Sequence, residues 1–438
     1  MLATSSRALL LLGAWVCAAG AIAVPAQGAL ATEAASPRFF EERDAIEPIL
    51  ALSDARLALM PGVAAFKWQN HTPISDPPRE RAVIERAVML AEPLGLSADG
   101  VRGFFELQIR LANEVENQLH ERWRARGFDY PQAVPNLTTE VRPQLDRLTG
   151  ELLSALYLAG PQLERTDFAT RYESLAAQRL HAQGWSPAAR TQLLAALAAV
   201  RSDASPTLAR ITAVRVLRIG TTGDYAPFSL ESNGRLAGAD IELALALAQH
   251  LGVTARFVRT SWPRLREDLR GGRFDIALGG VSDTPERRAV AAVSPGYYHG
   301  GKTIIARCKE TARLGSLAAL DRPSVRVIVN PGGTNEQFVR QNLTHAAVIV
   351  HPDNPTIFDD LVRDRADAMI TDDTEVELQV RKHPQLCRAY PGTLTHADKV
   401  ILMARDPELD AAIDAWLEEQ IAAAAPARLL REALTDPR

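Results

Sequence analysis

The sequence predicts two folding units of different class, an all-α domain followed by an α/β domain, with a short apolar leader ahead of both. Three observations carry this reading. Apolar residues keep helical spacing from Phe39 to about Val200, short β-rich runs alternate with helical segments from about residue 215, and an unbroken apolar run lies close to Met1. At 438 residues the chain exceeds one ordinary core. Its 47% hydrophobic and 23% charged residues are those of a globular protein, and a formal charge of -4 gives no electrostatic case for nucleic acid or an anionic membrane.

The leader comes first. Arg7 precedes "ALLLLGAWVCAAGAIAV", which ends at Pro25 and is followed by small-residue sites at Ala26 and at "ALA", residues 29–31. This is the pattern of an export signal over residues 1–31, too short for a span and cleaved rather than retained. The mature chain is therefore expected to be periplasmic or secreted, with no stable membrane anchor. Cys17 falls inside the leader, where "AWVC" lacks the small residue that lipid attachment favours. The other cysteines, Cys308 and Cys387, are an even number in an oxidising compartment, which favours one disulfide over two unrelated thiols. The nine histidines show no ligand spacing, so no metal site is expected.

In the helical domain, residues 39–200, stretches such as "IEPILALSDARLALM" and "LDRLTGELLSALYLAG" set the period, and Pro73, Pro77, Pro78 and "RGFDYPQAVPN" separate the helices. In "DARLALMPGVAAFKW", Arg56 and Lys67 lie eleven residues apart, which puts both cations on one helix face, with a bend expected at Pro61 and Gly62. Gln108, Ala112 and Glu116 recur at every fourth residue, and Arg79 and Arg142 each stand near a helix start. Each of these, taken singly, reads as a solvated face.

Together, "LSDARLALMPGVAAFKW", "PISDPPRERAVI" and "VRGFFELQIRLANEVE" resemble the secreted, all-helical gamma subclass of chorismate mutases. The resemblance implies that Arg56, Arg79 and Arg142 hold the two carboxylates of chorismate, that Lys67 and Glu116 face its ether oxygen, that Gln108 touches substrate, and that Asp76 orients the cations. The rearrangement to prephenate is pericyclic and needs no proton transfer, so conformer selection and charge stabilisation suffice. An ionised Glu116 could not donate to the ether oxygen; it is expected to work protonated, its pKa raised by burial. Ala112 and Val83 stand where that subclass often places polar contacts.

Residues 201–214 read as a linker, and residues 215–438 as the α/β domain. "LRIGTTGDYAPFSL", "GADIELALALAQHLG" and "SDTPERRAVAAVSPGYY" resemble periplasmic amino-acid-binding proteins, which implies a two-lobed domain with Arg287 as a carboxylate clamp and Asp372 as the grip for a ligand amino group. Asp240 reads as a helix N-cap. Finer motifs, "TTGDYAPFS", "TSWPRL", "GGKTIIARC", "VNPGGTNEQF", "HPDNPTIF" and "HPQLC", resemble cyclohexadienyl dehydratase. That resemblance implies Glu375 as general acid and Lys302 as a second carboxylate contact. Asp224, Trp262, Asn330, Thr334 and Asn335 become pocket residues, and the two cysteines pair. Asp373 and Glu377 read as helix-start or solvated acids.

The resulting expectation is a bifunctional exported enzyme acting on chorismate, then on prephenate or arogenate, without a cofactor. The alternative is an amino-acid receptor of a transporter or sensor fused to a mutase-like domain. The oligomeric state is left open, a homodimer through the helical domain being one arrangement.

Overall fold

The computed structural model describes residues 37–202 and 208–435, apart from the side chains of residues 42–44; the leader lies outside the described residues. The helical part consists of α1 (Glu42–Ala58), α2 (Met60–Gln69), α3 (Pro77–Ala91), α4 (Ala98–Arg126), α5 (Arg142–Leu163), α6 (Phe168–Arg179), α7 (Pro187–Ala199) and α8 (Leu208–Val214). The long α4 runs about 43 Å at 1.5 Å per residue. Phe104, Leu111, Val115, Leu119 and Trp123 line its buried face at helical spacing, and Gly127, at φ +87°, ends it. At Leu59 the first helix breaks, just ahead of Pro61 and Gly62, so α1 and α2 are two helices meeting at a bend.

The α/β part has two lobes. The first begins with β1 (Val216–Thr221), β2 (Asp224–Tyr225), β3 (Ser229–Ser232), β4 (Arg235–Ala237), α9 (Ala239–His250) and β5 (Thr254–Arg259). It continues through α10 (Leu265–Arg270), β6 (Ile276–Ala277), α11 (Pro285–Arg288) and β7 (Ala292–Val293). The chain crosses on β8 (Tyr298–Gly300) into the second lobe: β9 (Lys302–Arg307), α12 (Leu317–Leu320), β10 (Arg326–Val329), α13 (Thr334–Asn342), β11 (Ala347–Val350), α14 (Ile357–Val362), β12 (Ala368–Asp372), α15 (Asp373–Lys382) and β13 (Leu386–Arg388). It returns on β14 (Ala397–Lys399) to β15 (Leu402–Met403), α16 (Pro407–Ala422) and α17 (Ala425–Thr435).

Each lobe holds one five-stranded sheet, in the orders β5-β1-β6-β15-β7 and β11-β10-β12-β9-β13. The central pairs β1–β5, β1–β6, β10–β11 and β10–β12 are parallel, as buried apolar strands joined by helices should be. The crossing strands β8 and β14 pair antiparallel. Cys308 and Cys387 form a disulfide that ties β13 to the end of β9.

Three boundaries differ from the sequence reading. The expected linker carries α8, whose Ile211 and Val214 are buried, because an apolar face this short gains stability only by docking. Phe39, assigned to the helical domain, packs instead in the core of the first lobe. It bridges Phe257 on β5, Phe40 N donates to Phe257 O at 2.7 Å, and Arg259 lies 3.8 Å over the Phe39 ring. Gly223, at φ +68°, makes room, since a Cβ there would meet that ring at 2.7 Å. Asp240 is not an N-cap: α9 is capped by Gly238, while the Asp240 carboxylate accepts from the Gly279 and Gly280 amides and from Tyr297 Oη. Arg218 on β1 pairs with Asp275 and reaches Tyr157 Oη of α5 at 3.3 Å, joining the helical core to the first lobe.

Candidate active sites

Helix α4 presents Gln108 and Glu116 two turns apart on its buried side. Lys67, on α2, stands 2.7 Å from Glu116 Oε2 and donates to Ile74 O at 2.6 Å. Burial pushes the Glu116 carboxyl up, against the opposing pull of Lys67, in the direction a protonated acid requires. Arg56 is buried, donates to Thr149 Oγ1 at 3.1 Å and to Leu145 O, and lies 5.5 Å over the Phe105 ring. Its pKa falls to about 10 through burial, opposed by Asp146. Gln108 Nε2 is buried with no hydrogen-bond partner among the described residues, an expensive state unless a ligand supplies an acceptor.

Helices α3 and α5 place Arg79 and Arg142 at their first turns, both exposed, with Arg142 donating to Thr138 Oγ1. Among the described residues, neither guanidinium makes an ion pair or hydrogen bond to Lys67 or Glu116. Asp76 does not orient cations. It is the exposed N-cap of α3 and accepts from Arg79 N at 3.2 Å, because a carboxylate ahead of Pro77 is best placed to satisfy an orphan amide. Sequence reasoning missed Glu80, which accepts from Asn113 Nδ2 at 3.1 Å and adds to the rise of Glu116.

The second site gathers at the carboxyl ends of the parallel strands of both lobes, where successive strands leave a crevice. From the first lobe come Tyr225 after β1, Trp262 after β5, and Gly280, Ser282 and Arg287 after β6; from the second come Asn330 after β10, Thr334 and Asn335 at the start of α13, Asn354, and Asp372 at the end of β12. Lys302 faces Asp372 because the antiparallel register of β9 and β12 pairs these two residues. Its Nζ donates to Asp372 Oδ1 at 3.3 Å, Thr334 Oγ1 at 3.0 Å and Asn335 Oδ1 at 2.5 Å. Arg287 donates to Ser282 O and lies 6.0 Å from the Trp262 ring. Its pKa is lowered to about 10, first by burial and then by Arg266. Trp262 Nε1 donates to Asp224 Oδ1 at 3.2 Å, and Asn354 Nδ2 bonds Asp224 O across the lobes.

Glu375 occupies the first turn of α15 and is 2% exposed. Thr371 Oγ1 donates to its Oε2 and itself accepts from Asn335 Nδ2 at 3.0 Å. With Oε2 accepting from Thr371, Oε1 is the oxygen left to carry a proton. Burial raises the Glu375 pKa to about 8; the Thr371 bond opposes this, and the Asp372 and Asp224 charges reinforce it. Such a group is an acid at neutral pH.

Asp372 corrects an expectation. It does not wait for a ligand amino group, because Lys399 donates to its Oδ2, Tyr225 Oη donates to the same atom, and Lys302 takes Oδ1. Burial pushes this carboxyl up, but the two ammonium groups outweigh it and hold it far below the usual range. Lys399 is the residue that sequence reasoning missed. In "HADKVIL" it has no motif around it, and only the return of β14 beside β8 carries it into the site. Asp373 and Glu377 behave as read, the first accepting from the amides of Gly301 and Thr374, the second paired with Arg381 at 2.5 Å.

Residues 217–432 match the bacterial extracellular solute-binding proteins of family 3, which points to an exported chain, and residues 47–117 match chorismate mutase type II. A cyclohexadienyl dehydratase of Pseudomonas aeruginosa is 47% identical over 212 residues, 48% of this chain and 79% of that protein. The chain belongs to the cyclohexadienyl dehydratase family.

The other likenesses are weaker. The L-cystine-binding protein TcyJ of Escherichia coli is 33% identical over 157 residues, 36% of this chain and 58% of its own length. An ancestral amino acid-binding protein, described as a precursor of cyclohexadienyl dehydratase, aligns at 33% identity with TM-score 0.49 over 52% of this chain and 99% of its own. An ancestral cyclohexadienyl dehydratase aligns at 41% identity and TM-score 0.34 over 53% and 98%. Relative to the family's dehydratase region, this chain carries in addition the mutase-matched helices, so two sites of different chemistry share one polypeptide.

Proposed function

We propose that this chain is an exported bifunctional enzyme, its leader at residues 1–31, that rearranges chorismate to prephenate in the helical domain and removes water and carbon dioxide from prephenate, or from its amino analogue arogenate, in the α/β domain. In the first step Arg56, Arg79 and Arg142 hold the carboxylates, Gln108 touches the substrate, and Lys67 with protonated Glu116 stabilises charge on the ether oxygen. In the second, Arg287 and Lys302 take carboxylates while Asn330, Thr334, Asn335, Trp262 and Asp224 shape the pocket. Glu375 Oε1 passes its proton to the departing ring hydroxyl, the ring carboxylate leaves as carbon dioxide, and its bonding electrons complete the aromatic ring. Prephenate gives phenylpyruvate and arogenate gives phenylalanine.

The observation that carries the reading is Glu375: a receptor needs grip, whereas a buried carboxyl that keeps its proton at pH 7 in the field of Lys302 and Lys399 serves acid catalysis. The test supplies chorismate to the purified chain and follows its loss and the products by absorbance and chromatography. Phenylpyruvate should form through prephenate. Unchanged chorismate would sink the mutase half, and prephenate that persists would sink the dehydratase half.

A further inference from the structure

A half-open recess of about 570 Å3 lies in the seam between the helical part and the first lobe, and it shares no lining residue with the crevice. That is the size of sites that take small molecules. Its helical wall is Leu158, Pro161 and Gln162 of α5 with Arg171 of α6; the facing wall is the strip at residues 39–41, β5 and the segment that follows it. Six of the sixteen lining residues are arginine, and Glu41 and Asp268 are the two acids among them. Neither reaction proposed above uses any of these side chains.

The charges on the facing wall are unevenly met. Arg218 has Asp275 and Arg259 has Glu231, but Arg264 and Arg273 divide the single carboxylate of Asp268 at 3.4 Å and 2.8 Å, and Asp268 also accepts from Thr260 Oγ1 at 2.7 Å. Arg264 is the looser partner, its side chain 62% exposed and with no other ion pair among the described residues. Phe39, Phe40, Leu158 and Val258 lay apolar surface beside these guanidinium groups. Cations on both walls with apolar surface between them suit an organic acid, whose carboxylate accepts two parallel hydrogen bonds from a guanidinium while its body covers the apolar residues.

Ser261 and Arg264 line the recess, whereas Trp262 between them lines the crevice and donates to Asp224 Oδ1. Pro263 lies against Gly332 of the second lobe, where a Cβ would meet the proline ring at 2.4 Å. We propose that the recess is a binding site for a small organic acid and that its occupant, by drawing Arg264 away from Asp268, pulls residues 260–264 and with them Trp262 back from the crevice. The site stands apart from the proposed activity; its effect on turnover rests on the dehydratase reading above.

The probe is 2-phenylsuccinate, titrated calorimetrically into the full chain with Arg287→Met to quiet the crevice, and into the same chain with Arg171→Gln and Arg264→Gln added. Both of these arginines are exposed and lie outside the catalytic groups. The added pair should weaken binding about tenfold or more, and sulfate, which has no apolar body, should bind about tenfold more weakly than the probe. With Arg287 restored and no probe present, the double variant should keep the parent's kcat/KM for chorismate and for prephenate. The rise in prephenate KM that 2-phenylsuccinate causes in the parent should shrink at least about threefold in the double variant. An unchanged titration would overturn the site, equal binding of sulfate the ligand class, and an unchanged KM response the coupling. Should the variants fail to fold, hydrogen exchange in the parent decides: the probe should slow it at residues 158–171 and 256–264 together, and protection confined to the crevice would overturn the inference. Binding that is lost in the double variant while no prephenate turns over would overturn the dehydratase reading and leave the site standing.

Discussion

Replacing Glu375 by Gln tests the central group through two separate readouts. With a pKa of about 8, Glu375 is about 90% protonated at pH 7, whereas at its ordinary 4.5 it would be about 0.3% protonated, so burial raises the supply of acid about 300-fold. Dehydratase kcat should therefore hold level below pH 7 and fall tenfold per pH unit above about 8. Glu375→Gln should lose about 100-fold or more in kcat with little change in prephenate affinity. The second readout needs no substrate. Because the folded pKa lies above the unfolded one, the folded state keeps a proton that the unfolded state has released between pH 4.5 and about 8. Stability therefore falls as pH rises through that window, by up to about 5 kcal/mol if Glu375 acted alone. Glu375→Gln removes that loss, so its Tm should exceed the parent's by more at pH 9 than at pH 5. A variant with parental kcat, or a Tm difference that does not grow with pH, would refute the reasoning.

Three further outcomes are expected. Glu116→Gln should retain mutase activity and keep it to higher pH than the parent, because the amide donates at every pH and the carboxyl only while protonated; loss of all activity at every pH would remove Glu116 from its role. Arg287→Met should lower dehydratase kcat/KM by about 100-fold or more and leave mutase turnover of chorismate unchanged, as two assays on one preparation would show. Cys308→Ser with Cys387→Ser should cost about 2–5 kcal/mol, the disulfide closing 79 residues of sequence, and thermal unfolding with and without reductant measures it.

Periodicity made the helices legible, and the β-rich runs on either side of "ADIELALALAQHL" gave the alternating domain. Lys67 with Glu116, and Glu375 with Asp372, were legible because each sits in a motif dense enough to be recognised. Lys399 was not. It meets Asp372 only through a crossing strand 27 residues downstream, and a lone lysine in an apolar run carries no local mark. Asp76 and Asp372 failed for a shared reason: a carboxylate's role depends on which donor reaches it first, an amide of its own helix for one and two lysines for the other. The start of the first lobe was misplaced because one aromatic pair, Phe39 and Phe40, has no period to read.

That pair also bears on how the polypeptide can be divided. Phe39 and Phe40 lie along β5, the edge strand of the first lobe, so the dehydratase begins before the mutase does and the helices are an insertion between this strip and β1. A dissection that starts the dehydratase at residue 215 discards the strip, empties the socket over Gly223, and bares an edge ready to pair with another chain. The two catalytic halves are consecutive in chemistry and nested in covalent order, and a separable dehydratase would have to carry its strip, residues 37–40, with it.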